Sequence, residues 1–73
     1  MEYDKLENYE GIYPVVQFFQ YAHLPADKQI VSRPFGELAL HLCQNLQDKT
    51  ETVKALDLLL AAKDAAVRSS FQK

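Results

Sequence analysis

The chain has 73 residues, one cysteine and a net charge of -2, with 48% hydrophobic and 25% charged residues. That composition suits one small globular domain and excludes intrinsic disorder, a large enzyme with a self-built cavity, an internal disulfide scaffold and any multi-cysteine zinc site. The charge is uneven: Glu2, Asp4, Glu7 and Glu10 outweigh Lys5 and leave the first ten residues at -3, so the remainder sums to +1. Neither value suits a protein that coats a DNA or RNA duplex, which needs a basic face. No apolar run approaches the ~18 residues of a membrane span. The acidic N-terminus does not read as a secretory signal. A reduced, cytoplasmic setting is the expectation for a chain whose only cysteine is Cys43.

Two glycines and three prolines are too few for many short strands joined by turns, so the fold class predicted is all-α. Residues 1–13, with Tyr3, Tyr9, Tyr13 and Gly11, read as a flexible acidic, tyrosine-rich arm, and residues 14–73 as a single helical domain. Pro14 suits the first position of a short helix, because its missing N–H lies where no intrahelical bond is made. Val15, Phe18, Phe19 and Ala22 continue it at helical spacing, and His23–Leu24–Pro25 ends it. Pro25 can open the next helix. Pro34 is then either a kink or a fresh start, with Ser32 available as N-cap for a restart. Beyond it Phe35, Leu38, Ala39, Leu42, Cys43 and Leu46 share one helical face.

Asp48 followed by Glu51 resembles a capping box opening a last helix over residues 49–71. So short a connection makes this helix antiparallel to its predecessor, a helical hairpin. The last helix carries two apolar stripes. Val53, Leu56, Leu60, Val67 and Phe71 form one; Ala55, Leu59, Ala62 and Ala66 form the other, with Leu58 at its margin. Together they cover roughly 220° where a surface helix needs about 100°. The preceding helix covers one stripe, and another copy of the chain is the more natural cover for the second, so a homo-oligomer is expected.

No constellation for catalysis is visible. His23 and His41 have no neighbouring His or Cys at ligand spacing, which leaves His41 as a solvated helix residue and His23 as a turn residue, with no metal site and no cofactor. Cys43 on an apolar face reads as buried and inert. Glycines only at 11 and 36 allow no glycine-rich phosphate loop. Asp57 and Asp64 read as a solvated charged edge, and Asp64 is spaced to pair with Arg68. Three residues suit binding instead. Tyr21, where a helix stops, offers a ring for stacking and a hydroxyl for a phosphate, or else fills the core with its hydroxyl satisfied. Arg33, at a helix start or kink, can fork onto a phosphate, or stand as an exposed charge. Arg68 lies near a helix end, where a cation is favourable in itself, and a symmetric oligomer would multiply it around an axis.

The stretch from residue 19 to residue 69 resembles the hairpin domain shared by the phage anti-CBASS and anti-Thoeris sponge proteins. The resemblance is carried by Phe19–Gln20–Tyr21–Ala22–His23–Leu24–Pro25, by Arg33–Pro34–Phe35–Gly36–Glu37–Leu38–Ala39, and by Ala55–Leu56 followed by Ala62–Lys63–Asp64–Ala65–Ala66–Val67–Arg68. It implies a short N-terminal helix and a hairpin assembled as a multimer, often a hexamer, acting in the host cytoplasm. It also implies a non-enzymatic function: cyclic di- or trinucleotides, or cyclic ADP-ribose-type signals, are held between protomers and sequestered uncleaved. The ligand-binding candidates are then Tyr21, Arg33 and Arg68, with His23 and Pro34 beside the first two. The alternative is a small adaptor of the same shape that grips a host protein through its apolar helix face.

Overall fold

The structure, a computed structural model, describes residues 5–70. These residues are helical, with no strand among them: a 3₁₀ turn at Leu6–Tyr9, a second 3₁₀ helix at Pro14–Phe19, and two long helices, α1 (Ala26–Asn45) and α2 (Lys49–Ser70). No helix among the described residues is long and apolar enough to cross a membrane.

The N-terminal region departs from the expected loose arm. Leu6, Tyr9 and Tyr13 are buried in the same core as Val16, Phe19, Ala39, Cys43 and Leu56. Residues 1–4 of that expected arm lie outside the described residues. Spacing explains the burial. A 3₁₀ helix eclipses side chains three apart, and Leu6 with Tyr9, then Tyr13 with Val16 and Phe19, follow that step. The short helix expected over residues 14–22 is accordingly a 3₁₀ helix that ends at Phe19. The period shifts the inward face by one residue: Val16 and Phe19 are buried, whereas Phe18 is 56% exposed.

α1 starts after Pro25, whose carbonyl accepts from the backbone N–H groups of Lys28 and Gln29. Gln29 Nε2 reaches back to the carbonyls of Leu24 (2.8 Å) and Ala22 (3.3 Å), tying the preceding turn to the helix. Pro34 neither ends nor restarts the helix. Ser32, offered as a cap, lies inside α1 and is buried. A proline within a helix forfeits one hydrogen bond, to the carbonyl four residues back, and costs roughly 3 kcal/mol. Here that carbonyl belongs to Ile30, whose side chain points to solvent, and Ser32, Gly36, Ala39 and Cys43 pack inward from both sides of the proline. The buried ridge offsets the lost bond. At the far end Asn45 Nδ2 donates to the His41 carbonyl (2.8 Å), a side-chain competitor for the helical ladder, and Leu46 turns to an extended conformation.

α2 opens on Asp48, whose Oδ1 accepts the Glu51 N–H at 3.0 Å, one half of the expected box. The carboxylate of Glu51 pairs forward with Lys54 (2.8 Å) instead. The Thr52 hydroxyl donates to the Asp48 carbonyl at 2.6 Å, which lets a polar residue be buried at the start of the helix. The inward line of α2 runs through Thr52, Leu56, Leu59 and Lys63, between the two stripes expected; Val53 is 40% exposed and Ala62 is exposed. Phe71 lies outside the described residues. α2 packs on two neighbours, α1 and the Pro14–Phe19 helix, and so its buried face centres between them. Lys63 Nζ donates to the Phe18 carbonyl, clamping the end of that 3₁₀ helix to α2.

Candidate functional site

The clamp from α2 and the seat on α1 together place residues 18–22. The backbone of Phe19 and the ring of Tyr21 lie on Gly36 so closely that a Cβ there would stand 2.8 Å from the Phe19 carbonyl oxygen and 2.7 Å from Tyr21 Cδ1. Glycine is required at 36 for this approach, whatever its cost within a helix. The half-buried Tyr21 ring thereby becomes one wall of a cleft of about 350 Å³. Gln20, Ala22, Gly36 and Leu40 continue that wall, and Lys5, Leu6 and Glu7 from the first 3₁₀ turn face it, with Glu37 beside them. The volume lies at the lower end of the range for small-molecule sites.

The charges at the cleft are mixed. Lys5 contributes one cation and Glu7 and Glu37 two anions. Arg33 is not a lining residue; its Nε donates to Glu37 Oε2 at 3.2 Å along α1, an exposed pair of the kind that contributes only a few tenths of a kcal/mol. It therefore stands at the margin of the cleft, joined to it through Glu37. Tyr21 and Arg33 are thus brought to one locality, with the tyrosine ring packed on backbone and also lining the cleft.

The other candidates fall elsewhere. His23 and Pro34 are exposed and line no part of the cleft. Arg68 is exposed in the last turn of α2, also away from the cleft, and among the described residues no ion pair joins it to Asp64. Asp57 and Asp64 are both exposed. Cys43 is buried, and burial raises its thiol above the ordinary range, so it is protonated at neutral pH. His41 is exposed with Asn45 beside its ring. No group of three or more His, Cys, Asp or Glu suited to a metal ion exists among the described residues.

Lys5, Glu7, Gln20 and Glu37 are polar lining residues that sequence reasoning passed over, the first two because the arm that carries them was expected to be loose. The signal was present in the recurrence of Leu6, Tyr9, Tyr13, Val16 and Phe19 at steps of three and four.

A second feature is an uncovered apolar side. The two 3₁₀ elements cover the Gly36–Leu40 side of α1 and the Lys63 side of α2. On the other side of α1's buried ridge Leu38 and Leu46 are 45% and 42% exposed, and Val53 of α2 is similarly open. Leu58, on the outward face of α2, is 71% exposed.

Comparison with protein-family models, with curated proteins and with solved structures gives no match.

Proposed function

We propose that this chain is a non-catalytic sequestering protein, encoded by a phage, that assembles as a homo-oligomer of helical hairpins in the host cytoplasm. It holds a cyclic oligonucleotide, or a cyclic ADP-ribose-type signal, without cleaving it. The observation that carries the reading is the Tyr21 ring seated on Gly36 as the wall of a cleft, with Arg33 one helical turn from Glu37 at its margin. Such a ring offers a stacking surface for a base, and an arginine beside it offers a fork for a phosphate. The open apolar side chains Leu38, Leu46 and Val53 supply a surface for association. Arg68 enters the reading only across protomers, where symmetry places several copies around an axis.

Native mass spectrometry with a panel of cyclic nucleotides tests both halves. The expected result is a discrete multimer carrying intact ligand, with binding lost in Tyr21→Ala and in the Arg33→Ala/Arg68→Ala double variant while the multimer persists. A multimer that ignores the panel favours the alternative, an adaptor that uses the Leu38–Leu46–Val53 side to grip a host protein. A bare monomer removes the interprotomer site.

A further inference from the structure

The mixed charge of the cleft bears on which part of a nucleotide enters it. A pocket for phosphate collects cations. This one is lined by two carboxylates and one ammonium, and the guanidinium nearest to it is held by Glu37 at the margin. A phosphate placed within would meet Glu7 and Glu37. A base placed within would meet an aromatic ring for its face and carboxylate oxygens for its N–H donors, the two elements by which unstacked bases are read. The volume of about 350 Å³ accommodates one nucleoside.

The two carboxylates are not equivalent. One oxygen of Glu37 is engaged by Arg33. Glu7 has no ion-pair or hydrogen-bond partner for its carboxylate among the described residues, so neither oxygen is engaged by them. A carboxylate with two open oxygens accepts a pair of adjacent donors in a fork. Among the common bases, guanine alone presents two adjacent donors on one edge, its ring N–H beside its exocyclic amine. Adenine and cytosine set one amine beside an acceptor that a carboxylate repels. Uracil sets one N–H between two carbonyls.

Resting on the sequestering function proposed above, we infer that the cleft takes a guanine base, stacked on Tyr21 with its donor edge on Glu7, and leaves the phosphates outside toward Arg33. Glu7 is thus a specificity-determining residue and Tyr21 the platform.

Isothermal titration calorimetry with three cyclic dinucleotides, those of guanosine, inosine and uridine, tests this on the full chain. Inosine retains the ring N–H and lacks the amine. The expected order is guanosine, inosine, uridine, with about tenfold between the first and the last. Glu7→Gln replaces one acceptor oxygen by a donor and is expected to bring guanosine down to the inosine value; circular dichroism establishes that the exposed substitution leaves the helices in place. Uridine bound as tightly as guanosine, or a guanosine preference undiminished in Glu7→Gln, overturns the inference and leaves the sequestering function standing. Failure of all three ligands to bind also overturns the inference, whereas the sequestering function falls only if the wider panel of cyclic nucleotides and cyclic ADP-ribose-type signals is ignored as well.

Discussion

Tyr21 and Gly36 are in contact at a distance that no residue with a side chain at 36 would permit: a Cβ there would lie 2.7 Å from the tyrosine ring. The same Cβ would meet the Phe19 carbonyl at 2.8 Å, and backbone yields less readily than a flexible side chain. Alanine in a helix is favoured over glycine by about 1 kcal/mol, and overpacking costs about 1–3 kcal/mol. Gly36→Ala is therefore expected to lose up to about 2 kcal/mol net in chemical denaturation. It also displaces the tyrosine, so any ligand affinity of the cleft falls with it. Greater stability in Gly36→Ala would contradict the close approach.

Pro34 gives the opposite expectation. It leaves the Ile30 carbonyl without its helical donor in the middle of α1. Pro34→Ala restores that bond, at the expense of a more flexible unfolded chain worth about 0.4–1 kcal/mol. The net expected change is a gain of about 2–3 kcal/mol and a raised Tm by differential scanning calorimetry. A loss would show that α1 depends on the proline ring for packing.

Asp48 caps α2 by a single side-chain acceptor at 3.0 Å. Asp48→Ala is expected to cost about 1 kcal/mol, and Asp48→Asn much less, since asparagine retains a capping oxygen. Urea denaturation of the pair separates the loss of the cap from the loss of charge.

Cys43 supplies a pH dependence. Burial raises its thiol above the ordinary range, so the folded chain holds the proton at a pH where the unfolded chain has released it. Its contribution to stability is complete below about pH 8.5 and declines as the pH rises through the folded-state value. Cys43→Ala is expected to flatten that alkaline decline in denaturation curves from pH 8 to 10. In the native protein the thiol is also expected to react slowly with a disulfide reagent, and rapidly once denatured.

The exposed side of α1 bears on association. Leu38→Glu changes a residue that is 45% exposed and lies outside the buried core. It is expected to leave the helical circular dichroism unchanged and to shift sedimentation toward the monomer. An unaltered sedimentation profile would move the interface away from this side of the helix.

Much of this architecture was legible before folding. The all-helical class follows from the scarcity of turn residues, the start of α2 from Asp48 and Glu51, and the burial of Cys43 from its place on an apolar face. These are local properties: a cap, a period and a face are set by residues within one or two turns of each other. Tyr21 and Arg33 were also identifiable as candidates, each from its place at a helix boundary or a proline.

Tertiary packing decided the remainder. Pro34 lies within one continuous helix because the ridge from Ser32 to Cys43 packs inward on both sides of it, a gain that no local preference for breaking the helix can register. Residues 5–13 pack into the fold because the 3₁₀ period directs Leu6, Tyr9 and Tyr13 into the core that Phe19, Ala39 and Leu56 share. The buried line of α2 falls between its two apolar stripes because two neighbours, not one, press on it. The cleft exists only where Lys5 and Glu7 at the first 3₁₀ turn, Tyr21 in the connection after Phe19 and Glu37 of α1 converge, a convergence that depends on the Gly36 contact and on the clamp from Lys63. Sequence spacing sets what each helix presents; which side of it is covered depends on partners distant in the chain.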